Sequence, residues 1–117
     1  PCGFLLNDKR FKRVVMDYMD FEKIKFYKSS SEFLNQKKNS RIILMTTKAK
    51  KIYTDFNFLG NDTILFGRES AGVPKKIHDY INLKLKIPMI KNKRSLNVAT
   101  SVAIVLAENL RQANYNL

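Results

Sequence analysis

The chain has 117 residues and a formal net charge of +12, from 22 Lys and Arg against 10 Asp and Glu. At that length folding buries roughly two-thirds of the surface the unfolded chain exposes, which is enough for one core and not for two. The single cysteine, Cys2, rules out an internal disulfide framework and a cysteine-based zinc cluster, the single histidine argues against any metal site, and the charge makes a polyanion the first partner to consider.

RNA or DNA ranks ahead of a membrane as that partner. No apolar run approaches the roughly 20 residues needed to span a bilayer, and no basic-then-apolar leader precedes the domain, so a cytoplasmic address is expected. Lys outnumbers Arg and the chain is rich in Asn and Ile, a bias that an AT-rich genome alone produces, so part of the charge carries no functional message. The opening Pro1-Cys2-Gly3-Phe4 reads as a turn leaving an upstream element, and the expectation is a single domain over residues 1–117 that is a fragment of a longer chain.

In chain order, Phe11, Val14, Val15 and Tyr18 have the spacing of one helical face over residues 8–19, with Lys9, Arg10, Lys12 and Arg13 beside it. Ile24 to Tyr27 alternates Lys with apolar residues and reads as a brief strand. Ser29 and Glu32 then have the spacing of a capping box for a helix to about Lys37. Arg41 to Thr46 is a continuous apolar run without alternation, expected of a parallel strand buried on both faces. A basic and aromatic connection, Thr47 to Gly60, leads to a second buried strand from Asp62 to Phe66. Pro74 fits the first turn of a helix to about Tyr80, and Leu83 to Met89 is a third strand. The last helix starts near Ser95 or Asn97 and ends near Gln112. Its stretch from Val102 to Ala107 is apolar all round, so it is expected to pack on the sheet and on a second subunit.

Two strand-to-loop-to-helix passages carry the chemistry. Gly67 and Gly72 bracket one loop, where glycine permits positive φ or close approach of backbone, although ordinary turn glycines account equally well for that segment taken alone. It is not a nucleotide-triphosphate loop, because the Lys-Ser/Thr ending is missing. The other passage, Lys91 to Asn97, sets cations and capping side chains at a helix N-terminus, where free backbone donors favour anions; simple capping is the competing explanation. Together with the strand end Met45-Thr46-Thr47, the two loops outline a pocket at one edge of a parallel sheet.

Leu65-Phe66-Gly67-x-Glu69-x-x-Gly72-Val73-Pro74, Ile87-Pro88-Met89 and Arg94-Ser95-Leu96-Asn97-Val98-Ala99, in that order and spacing, closely resemble the SPOUT class of RNA 2′-O-ribose methyltransferases. Within that class the chain, with Asp8-Lys9-Arg10-x-x-Arg13 and Asp17-Tyr18 upstream, is similar to the short single-domain TrmL group, which modifies the wobble cytidine or uridine of tRNA. The resemblance covers nearly the whole chain.

That resemblance implies an α/β fold with a mostly parallel sheet, flanking helices and a C-terminal trefoil knot. It also implies a homodimer, tRNA as substrate, S-adenosylmethionine as cofactor, and neither metal nor membrane. By position the cofactor contacts are Met45, Thr46, Gly67, Glu69, Gly72, Ile87, Met89, Ser95, Leu96 and Asn97, with Ser95 and Asn97 also in supporting catalytic roles. Lys9, Arg10, Arg13 and Arg94 are the implied RNA contacts. The family's catalytic arginine belongs to a first strand and helix expected upstream of Pro1, and Ala107 stands where many members have a tyrosine. Two alternatives accompany this reading: a non-catalytic RNA-binding module of the same fold, and a SPOUT enzyme acting on rRNA.

Overall fold

The computed structural model describes residues 24–67, 72–89 and 97–115. The chain divides into two compact units, Pro1–Gln36 and Lys37–Leu117.

In the first unit, α1 (Ser30–Gln36) begins at the capping box. Ser29 Oγ accepts the Glu32 N–H at 3.1 Å, and the Glu32 carboxylate accepts the Lys28 N–H at 2.8 Å. Both bonds satisfy amides that a helix start leaves without partners. Tyr27 packs edge-on against Phe33 with ring centroids 5.2 Å apart. The expected strand from Ile24 to Tyr27 does not form. The Tyr27 ring and the Lys28 amide are committed to the helix start, so the segment serves as its approach.

The second unit is an α/β structure. Its elements are β1 (Ile42–Met45), β2 (Lys51–Ile52), a 3-10 turn (Tyr53–Asp55), β3 (Thr63–Leu65), α2 (Lys75–Tyr80), β4 (Leu83–Lys86) and α3 (Val98–Gln112). Among the described residues all strand pairs are parallel and the sheet runs β2-β4-β1-β3. Ile43 and Leu44, which point to opposite faces of the strand, are both 0% exposed. An unbroken apolar run is therefore what β1 requires. β2 lies inside the stretch expected to be a connection, and β4 stops at Lys86, so residues 87–89 leave the sheet as a loop. The expected C-terminal knot falls on stretches that include residues 68–71 and 90–96, outside the described residues.

The core joins Ile43, Met45, Phe56, Leu85 and Val105, so Val105 is where α3 meets one face of the sheet. Gln112, in the last turn of α3, donates to the Phe56 carbonyl at 2.7 Å and accepts the Phe58 N–H at 2.8 Å. Its amide thus pairs with the chain at 56–58 as a neighbouring strand would. The side of α3 away from the core leaves Val102 39% and Leu106 55% exposed.

The N-terminal edge of the sheet is pinned by charge. Arg41, just before β1, donates to Asp62, just before β3, at 2.7 and 2.6 Å, and also to the Asn57 carbonyl at 2.9 Å. Its guanidinium lies 4.7 Å from the centre of the Phe56 ring. Burial pushes the Asp62 carboxyl up, but the Arg41 hydrogen bonds, the Leu59 amide and the Arg41 charge together hold it below the ordinary carboxylate value.

Candidate active site at the C-terminal rim of the sheet

Because β1, β3 and β4 are parallel, their C-terminal ends lie along one rim. The register pairs Leu44 with Leu65 and Met45 with Leu85, which sets Met45-Thr46, Phe66-Gly67 and Lys86-Ile87 side by side. The Thr46 N–H continues the ladder by donating to the Leu85 carbonyl at 2.9 Å. Met45 is buried, and Phe66 and Ile87 pack against the same core, so the rim has an apolar floor. Met89 is half-buried a few residues past the end of β4.

Both glycines of the β3 loop are required by geometry. A Cβ on Gly67 would stand 2.6 Å from the Gly72 Cα and 2.8 Å from the Val73 nitrogen, so the two ends of the loop touch through bare main chain. Gly72 itself has φ +67, in the left-handed region that L side chains rarely adopt. The loop leads through Gly72 and Val73 directly into Pro74, which precedes α2.

Thr46 is engaged at every polar atom. Besides the ladder bond, its carbonyl accepts the Ala49 N–H at 3.2 Å, and its hydroxyl accepts the Lys48 N–H at 3.2 Å and lies 3.3 Å from His78 Nε2 on α2. Asn97 heads α3, where its Oδ1 accepts the Ala99 and Thr100 amides at 2.8 and 3.3 Å. That oxygen is spent on capping and the Asn97 carbonyl accepts the Ser101 N–H at 2.9 Å, so its Nδ2 is the group left for other partners.

Met45, Thr46, Gly67, Gly72 and Ile87 are thus drawn from separate elements to one edge. Glu69, Ser95, Leu96 and the expected RNA contacts Lys9, Arg10, Arg13 and Arg94 lie outside the described residues. Among the described residues no cluster of His, Cys, Asp and Glu could hold a metal ion, and no helix is long and apolar enough to cross a membrane.

A model described as the SpoU rRNA Methylase family matches residues 1–107. The chain belongs to the SpoU methylase family. A tRNA (cytidine(34)-2′-O)-methyltransferase from Beijerinckia indica is 42% identical over 114 residues, which cover 96% of this chain and 71% of that relative. A solved structure concerned with 2-OH methylation of C/U34 on tRNA matches with a TM-score of 0.85 and 31% identity, over 97% of this chain and 75% of that one. The SpoU methyltransferase AviRb from Streptomyces viridochromogenes, solved in complex with AdoMet, shares the fold at a TM-score of 0.67 and 22% identity, over 74% of this chain and 37% of that one.

In this SpoU methylase chain the mostly parallel sheet agrees with the fold class its motifs imply. Sequence reasoning missed His78, Glu108 and Gln112. A helix of six residues gives little periodicity to show which way His78 faces. For Gln112 the decisive partner, the chain at 56–58, is distant in sequence, and Glu108, bonded to Arg111 and Gln112 on its own helix, is buried by packing that its local spacing does not show.

Proposed function

We propose that this chain is the methyl-transferring domain of an enzyme that modifies the ribose 2′-hydroxyl of the tRNA wobble nucleotide, cytidine or uridine 34, with S-adenosylmethionine as cofactor. The observation that carries the reading is the meeting of Met45-Thr46, Gly67 and Ile87 at one rim, supported by the 42% identity to a tRNA (cytidine(34)-2′-O)-methyltransferase.

The residues present suit the cofactor. Met45, Phe66 and Ile87 offer an apolar surface for an adenine ring, and Gly67 with Gly72 brings main chain, not side chains, to the rim for hydrogen bonding. S-adenosylmethionine supplies a methyl group already activated on a sulfonium. The protein's own task is then to hold the donor, exclude water and align a ribose hydroxyl in reach. Thr46, fixed at its amide, carbonyl and hydroxyl, is a rigid element of that alignment. In the same reading Glu69, Gly72, Met89, Ser95, Leu96 and Asn97 complete the cofactor contacts, and Lys9, Arg10, Arg13 and Arg94 meet tRNA phosphates in the cytoplasm.

The enzyme works as a homodimer. Ala99, Val102, Ala103 and Leu106 follow the i, i+3, i+4, i+7 spacing along one exposed side of α3, and a second copy covers that stripe. To test the chemistry, the full-length protein is incubated with labelled cofactor and a tRNA carrying 2′-deoxyribose at position 34. Label is expected only on the unmodified tRNA, and undiminished transfer to the deoxy substrate excludes ribose methylation.

A further inference from the structure

We infer that His78 is a positioning residue of the cofactor site, setting the separation between its two walls through the Thr46 hydroxyl. The inference rests on the methyltransferase reading above and adds a residue to it.

One wall of the rim is the Thr46 turn at the end of β1; the other is the main chain where Gly67 meets Gly72, which continues through Val73 and Pro74 into α2. These walls belong to different elements. His78 sits on α2, half-buried, with Nε2 at 3.3 Å from Thr46 Oγ1, and so joins the element carried by the glycine loop to the end of β1. The threonine oxygen suits such a junction. It already accepts the Lys48 amide, which leaves it one hydrogen to donate and room for one more to accept, so either neutral tautomer of His78 completes its shell.

The bond is also directed at a residue that cannot drift, since the Thr46 amide is tied to Leu85 and its carbonyl to Ala49. A histidine held to a fixed point in turn fixes the helix that bears it. Because α2 has six residues and no side-chain cap at Pro74, it has little rigidity of its own to hold the glycine loop in place. Replacing the imidazole by an apolar side chain releases that restraint while leaving the reacting groups untouched, so cofactor affinity changes and the chemical step changes little.

The experiment uses the full-length protein and its wild-type, His78→Leu, His78→Gln, Thr46→Val and doubly substituted forms. S-adenosylmethionine binding is followed by calorimetry, and methyl transfer at saturating tRNA gives KM for the cofactor and kcat. A net hydrogen bond of ordinary strength predicts that His78→Leu weakens cofactor binding and raises its KM by about 3- to 10-fold with kcat within about 2-fold of wild type. His78→Gln, whose amide nitrogen sits near the Nε2 position, is expected to recover most of the affinity. The double variant should bind no worse than the weaker single variant, since both remove the same contact. The inference is overturned if His78→Leu binds as wild type does, if His78→Gln is as impaired as His78→Leu, or if the two single effects multiply. Should His78→Leu fail to fold, the His78→Gln and Thr46→Val comparison decides alone. Absence of any heat with the wild-type protein is a different outcome, which overturns the methyltransferase reading itself.

Discussion

Glu108 is a carboxylate buried on α3 that accepts hydrogen bonds from Arg111 at 2.7 and 2.9 Å and from Gln112 at 2.9 Å. The Arg111 hydrogen bonds, then the Gln112 amide, outweigh the effect of burial and hold its pKa at about 2, against an ordinary 4.5. Folding therefore favours the ionised form, and the resulting stability is complete above pH 4.5 and is lost as the pH falls toward 2. The difference in thermal midpoint between wild type and Glu108→Gln is expected to stay constant on the neutral side and to shrink across that acid window, as followed by circular dichroism. Gly67 makes a sharper demand. Gly67→Ala places a methyl group 2.6 Å from the Gly72 Cα, so the loop ends must separate, at a cost of about 1–3 kcal/mol typical of overpacking. Chemical denaturation measures that loss, and S-adenosylmethionine binding is expected to fall with it, because the displaced main chain forms the rim.

At the scale of elements, α3 is held at one end by its Asn97 cap, in the middle by Val105 and at the other end by Gln112. Gln112→Ala leaves the Phe58 amide and the Phe56 carbonyl without their partner, and is expected to destabilise the protein by about 1–3 kcal/mol in urea unfolding. How far such elements can be read from sequence depends on whether their cause is local. β1 was legible because burial on both faces writes itself as an unbroken apolar run, and α1 because a capping box closes within four residues. β2 was not, since it has two residues, opens with the exposed Lys51 and, among the described residues, pairs only with β4, more than thirty positions later. The rim was legible for a related reason: glycines that must touch or turn left-handed leave a mark on the chain. His78 left none, because its meaning comes from Thr46, 32 residues earlier.

For the whole molecule, the exposed stripe on α3 is the surface on which the proposed dimer is tested. If the proposed homodimer forms through this stripe, substituting Val102 and Leu106 together by Asp is expected to give monomers in sedimentation velocity while circular dichroism keeps its folded signature, because both side chains lie away from the core. A dimer that persists in the double variant places the interface elsewhere. The sheet order has an effect of another kind. Neighbours in sequence are usually neighbours in a sheet, yet β1 and β2 are separated by β4, the last of the described strands to be made. Among the described strands, a ribosome that has released the chain only as far as α2 has therefore produced β2 without its partner β4 and β1 with β3 alone beside it. The centre of these four strands therefore closes only once β4 has emerged, and until then their open edges are accessible to chaperones and proteases.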